Sequence, residues 1–138
     1  MADLVYNTFP LYLGDGTIDL DNDTLKVSLH TSSYTPDAGH SVYGDLDNEV
    51  ANGNGYTTGG ETLTTVTWNE SSGTATLSAA NPSWTSSTFI ARYAVVYDDT
   101  PSSPAKPLIC LFDFSTDQSV SNGTFTLQFN ASGILTIS

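Results

Sequence analysis

The stretch "TLKVSLHTS", residues 24–32, alternates apolar and polar side chains. Leu25, Val27 and Leu29 fall on one face, and Lys26, Ser28 and His30 on the other. A period of two is that of a β-strand, and it predicts a strand with one face buried and one facing water.

Strand signals of the same kind recur downstream. They are "ETLTTVTWNE" (61–70), "GTATLSAAN" (73–81), "TFIARYAVVYDD" (88–99), "KPLICLFDFS" (106–115), "GTFTLQFNA" (123–131) and "GILTIS" (133–138). The separators "SSG", "NPSWTSS", "DTPSSPA", "TDQSVSN" and "SG" carry turn and loop chemistry. "RYAVVY" and "PLICLFDF" are apolar enough for central strands buried on both sides. The lead-in "LVYNTFPLYLGDGTIDL" (4–20) contains Pro10, which stops a helix from running through it. It reads as a short helical or extended piece ending at Gly14. Residues 33–60 are polar and turn-rich, with room for one short helical turn in "SVYGDLDNEV". A connection of that length inside a compact domain is unusual and is often functional.

Together these signals predict an all-β fold. The expected form is a two-sheet antiparallel sandwich, jelly-roll-like or a flattened barrel, with one long polar loop around 33–60. The 138 residues suit a single domain, 1–138, with its C-terminal strand docked in a sheet.

Charge narrows the partners. Fifteen acids face only Lys26, Arg92 and Lys106, for a net charge of −12. Nucleic acid is excluded as a direct partner, because three scattered cations cannot form a phosphate-binding patch. Anionic membranes are disfavoured for the same reason, and no segment approaches the ~18 apolar residues of a membrane span. The single Cys110 sits in the apolar run "PLICLFDF" and reads as a buried thiol. "MADLVYNTF" lacks the basic-then-apolar pattern of a secretory signal, so synthesis in a cytoplasm is expected.

Candidate chemistry is sparse. "GDGTIDLDNDT" (14–24) holds Asp15, Asp19, Asp21 and Asp23. A calcium loop starting at Asp15 puts Leu20 where the turn glycine belongs, and moving Gly16 to that place puts Leu11 at the first ligand position. The aspartates therefore read as turn-formers and solubilising charge, and no metal or other cofactor is expected. His30 and His40 have no partner cluster of zinc-ligand spacing. No serine stands in a G-x-S-x-G context, and a Ser–His pair would have to arise through folding. With 15 acids, some carboxylate pair will lie close in any fold, so a glycosidase pair carries no signal. "GNGYTTGG" (53–60) lacks the lysine of a phosphate loop and reads as a loop with positive-φ turns. Trp68 and Trp84 read as core or interface anchors before they read as a sugar platform.

The succession of motifs resembles a family of small virion structural proteins of tailed bacteriophages. The motifs are "VYNTF", "GTIDLDNDTLKVSL", "YTPDAGH", "NEVANGNGYTTGGETL", "NPSWTSSTFIARYAVVYDDT", "KPLICLFDFS" and "SNGTFTLQFNASGILTIS", which cover nearly the whole chain. The resemblance implies a non-enzymatic head-decoration or cement protein with no catalytic residues. Its location would be the virion, after synthesis in the host bacterial cytoplasm. Its partners would be the major capsid protein and further copies of itself, with a homotrimer as the expected oligomer. Other readings are a tail, collar or receptor-binding domain that meets host glycans, and a free carbohydrate-binding or hydrolytic sandwich. The expected partner contacts are Tyr6, Phe9, Tyr34, His40, Tyr43, Tyr56 and Trp84, taken from the lead-in, the long loop and the 81–87 separator.

Overall fold

The computed structural model describes residues 1–138. The elements are β1 (Leu4–Val5), α1 (Phe9–Gly14), β2 (Leu25–His30), β3 (Glu61–Thr62), β4 (Thr67–Ser71), β5 (Thr74–Ser78), β6 (Ser83–Asp98), β7 (Leu108–Thr126) and β8 (Leu135–Ile137). A single 3-10 turn, Tyr43–Asp45, interrupts the long loop. The strands form two antiparallel sheets, ordered β1-β7-β6-β2-β3 and β4-β5-β8. Neither sheet closes on itself, so the fold is an all-β sandwich and not a barrel. No helix is long and apolar enough to cross a membrane.

The apolar face of β2 behaves as its alternation requires. Leu25, Val27 and Leu29 enter a cluster of 21 buried residues between the sheets, with Leu77 of β5, Leu135 of β8, and Ala94, Val96 and Cys110 of the central strands. The polar face does not. Ser28 and His30 are also buried, because the loop after β2 folds back over that face. Beneath it lies a second cluster of Tyr6, Tyr34, Tyr93, Val95, Tyr97, Leu108 and Leu111. The large sheet is thus covered on both faces, on one by the small sheet and on the other by loop 31–60.

Three boundaries differ from the sequence reading. "ETLTTVTWNE" is not one strand. It gives β3 to the large sheet and β4 to the small one, turning at Thr65 with φ 53°. "SWTSS" and "TDQSVSN" are not separators; they lie inside β6 (16 residues) and β7 (19 residues), paired from Ser83↔Thr126 to Tyr97↔Leu108. Local turn chemistry gives way there to cross-strand pairing, since hydroxyl side chains are tolerated on a solvent-facing strand. β7 keeps the pairing by bulging: Phe114–Asp117 stand opposite Arg92 alone, with Ser115 at φ 68°.

"GTFTLQFNA" likewise supplies only the end of β7, which stops at Thr126, while other local signals hold. Pro10 sits in the first turn of α1, where its missing N–H breaks no helical bond, and the helix ends at Gly14. "SSG" turns β4 into β5 through Ser72 (φ 53°) and Gly73 (φ 86°), the left-handed pair of a tight hairpin. Cys110 is buried, and burial pushes its thiol pKa up.

Candidate functional site

The residues with chemical potential gather on the β2–β6 face beneath loop 31–60. Glu49 is the loop's anchor. Its carboxylate accepts hydrogen bonds from the Tyr43 hydroxyl, from the Tyr56 hydroxyl at 2.5 Å and from the Gly59 N–H at 2.8 Å. The Tyr56 oxygen in turn accepts the Leu29 N–H at 3.0 Å, and Tyr97 donates to the Gly59 carbonyl at 2.5 Å. Burial raises the pKa values of Tyr43, Tyr56 and Tyr97, and hydrogen bonding to Glu49 raises the first two further. These phenols stay protonated donors, so the cluster fastens the loop and offers no phenolate.

The close fit explains two glycines of "GNGYTTGG". A Cβ on Gly60 (φ +82°) would stand 1.8 Å from the Val27 carbonyl oxygen, and one on Gly55 (φ +89°) would stand 2.3 Å from Ser87 Oγ. The loop backbone lies directly against β2 and β6 at these points, and a left-handed φ is easy only for glycine.

Folding also creates a Ser–His pair. Ser28 Oγ lies 2.9 Å from His30 Nε2, and His30 Nδ1 lies 2.8 Å from the Asp47 carbonyl oxygen. A carbonyl only accepts, so Nδ1 carries the proton and Nε2 accepts from the serine. That is the tautomer of a hydrolase dyad. Here it is sealed: Ser28 is 0% exposed and His30 1% exposed, and neither lines a cavity. Desolvation pushes the His30 pKa down, partly offset by the Asp47 carbonyl and the nearby Glu49 and Asp47 charges. The pair satisfies buried polar groups under the loop and has no room for a substrate.

The expected contact residues are mostly inside. Tyr6, Phe9, Tyr34, Tyr56 and Trp84 are each at most 2% exposed. Their packing places these five side chains in the interior, where the sequence reading expects surface contacts. Trp84 stacks on Tyr56 with ring centroids 6.4 Å apart, and Phe9 joins the inter-sheet core. Tyr6 bonds Tyr34 at 3.3 Å, and Tyr34 reaches His40 Nδ1 at 3.0 Å. Of the seven, only His40 and Tyr43 are part-exposed, and Lys106 Nζ covers the Tyr43 ring at 5.2 Å from its centroid. The polarity of the loop concealed this, because its aromatic residues are spaced singly among turn residues.

The aspartates of "GDGTIDLDNDT" cap backbone turns. Asp15 accepts the Thr17 N–H at 2.9 Å, Asp19 accepts the Asp21 N–H at 3.0 Å, and Asp23 accepts the Asp19 N–H at 3.0 Å. The Thr17 side chain and N–H lower the pKa of Asp15, and the Asn22 side-chain amide with the Asp21 N–H lowers that of Asp19. Their neighbour leaves little trace in the sequence. Asp98, at the end of β6, is 0% exposed; its Oδ1 accepts the Thr100 N–H at 3.0 Å and its Oδ2 meets no donor N–H. Burial, with the Asp23 carboxyl against it, pushes its pKa up to about 8. The only hint was an acid placed directly after the apolar run "RYAVVY".

The largest concavity is a groove of about 580 Å3 between residues 50–54 and the paired segments 88–90 and 119–121 of β6 and β7. Val50, Ala51, Phe89, Ile90 and Val120 supply its apolar wall, and no charged residue lines it. Comparison of the chain with protein-family models, with curated proteins and with solved structures found no match.

Proposed function

We propose that the chain is a non-enzymatic structural protein of a bacteriophage virion, a decoration or cement protein that binds the outer surface of the head and stabilises it. The observation that carries the reading is the closure of loop 31–60. The segment with the most chemistry-bearing side chains is fastened by Glu49 onto the sheet, and the Ser28–His30 pair is sealed beneath it. What remains outside is a rigid, acidic module with a net charge of −12. Such a module stays soluble at high concentration before assembly. Binding in many copies through modest contacts would then stabilise a shell by avidity. The succession of motifs that resembles small phage virion proteins supports the same reading.

Gold-labelled antibody against the chain, viewed on whole particles by electron microscopy, tests the location. Label spread over heads is the expected result. Label confined to tails or collars would move the function there, and absence from particles would refute a virion role.

A further inference from the structure

The acids are unevenly placed. No Asp or Glu falls between Glu70 and Asp98, and none follows Asp117. The paired segments 83–91 and 118–126 of β6 and β7 therefore form a ribbon without a single charged side chain, in a chain of net charge −12. Ile90 stands on its solvent face, 54% exposed, opposite Ser119 and beside the uncharged groove. The exposed Val5, Leu11 and Ile137 border no concavity.

Two copies of this chain repel each other wherever their carboxylates approach. The ribbon adds no carboxylate of its own to that repulsion, and it presents a protruding aliphatic side chain on the wall of a recess that such a side chain fills. A knob on the rim of a hole is self-complementary about a two-fold axis. We propose that the groove beside Ile90 docks a second copy of this chain, with Ile90 of each copy entering the groove of the other. The contact belongs to the free protein and stands or falls separately from the shell role.

Sedimentation velocity of the full chain, over a concentration series at low and high salt, tests it. A monomer–dimer equilibrium is expected that tightens with salt, because salt screens the charge on each copy. Ile90→Asp and Ile90→Lys are both expected to weaken the dimer at least about tenfold, since each buries like charges across the axis. Thr88→Asp, on the same face, serves if an Ile90 variant loses its near-ultraviolet dichroism. A monomer at every concentration and salt would overturn the proposal. So would dimers that persist in the variants, or an Ile90→Lys chain that dimerises more tightly than wild type, which would reveal only relief of net charge. Binding of a monomeric chain to shells or glycans, lost on Ile90→Asp, would reassign the groove to that partner.

Discussion

Glu49 and Tyr56, seven residues apart in the loop, meet in a 2.5 Å hydrogen bond that holds the loop over the β2 face. Tyr56 is also buried against Trp84 and accepts the Leu29 N–H, so one phenol ties loop, sheet edge and core together. Removing its hydroxyl leaves the Leu29 N–H and a Glu49 oxygen short of a partner. Tyr56→Phe is expected to cost about 1–3 kcal/mol in chemical denaturation, the usual size for unsatisfied buried polar groups. Hydrogen exchange should quicken at Gly59 and Leu29 before it does in β6.

Trp84 separates packing from binding. Trp84→Ala is expected to cost about 3–5 kcal/mol, as large-to-small changes in cores do. Its ring N–H has no hydrogen-bond partner, so Trp84→Phe should cost clearly less. A Trp84→Ala chain that kept full stability would show that the side chain is not core.

Gly60→Ala places a methyl group against the Val27 carbonyl at a left-handed φ. The expected loss is roughly 2 kcal/mol or more, from strain and clash together. Gly14→Ala, at an exposed glycine with open space around it, should cost far less, and urea melts of the two variants give the comparison.

Two buried groups shape stability against pH in opposite senses. Asp98 titrates at 3.8 when unfolded and near 8 when folded. A raised carboxyl contributes stability that is full below pH 3.8 and is lost as pH rises toward 8. His30 has its folded value lowered from 6.5, so its contribution is full above 6.5 and is lost as pH falls through the folded value. Asp98→Asn mimics the protonated acid and can donate to Asp23. It should melt higher than wild type at pH 8 by about 4 °C, on the scale of roughly 1 kcal/mol for a domain of this size. The gain should vanish near pH 4. Equal gains at both pH values would place the effect elsewhere.

Trypsin should leave the folded chain whole. Lys26 and Arg92 lie within β2 and β6, and Lys106 is followed by Pro107, which blocks cleavage after it. A time course on a gel should show one band until urea is added. Early cleavage after Lys26 would mean that β2 opens readily.

Legibility followed the range of the interactions. The alternation in residues 24–32 placed β2 and its core face, because side-chain period is local. The same pattern suggested that Ser28 and His30 face water. Their mutual hydrogen bond and the Asp47 carbonyl, brought back by the loop, make their burial tolerable. "TDQSVSN" read as a loop because serine and asparagine favour turns, whereas its partner in β6 holds it extended. The seven expected contacts share aromatic or imidazole character in polar segments. That pattern marks residues that anchor loops as readily as residues that meet partners, and here five of the seven are anchors. Asp98 escaped notice because its carboxyl neighbour lies 75 residues earlier in the chain.

The central claim is that this sealed, acidic sandwich works by binding a phage shell. Purified chain added to heads that lack it, followed by sedimentation of the heads and assay of bound protein, tests that claim most directly. Saturable binding in many copies per head, with a raised temperature of head disruption, is the predicted result. Heads that take up no protein and gain no stability, from a chain shown to be folded, would contradict it.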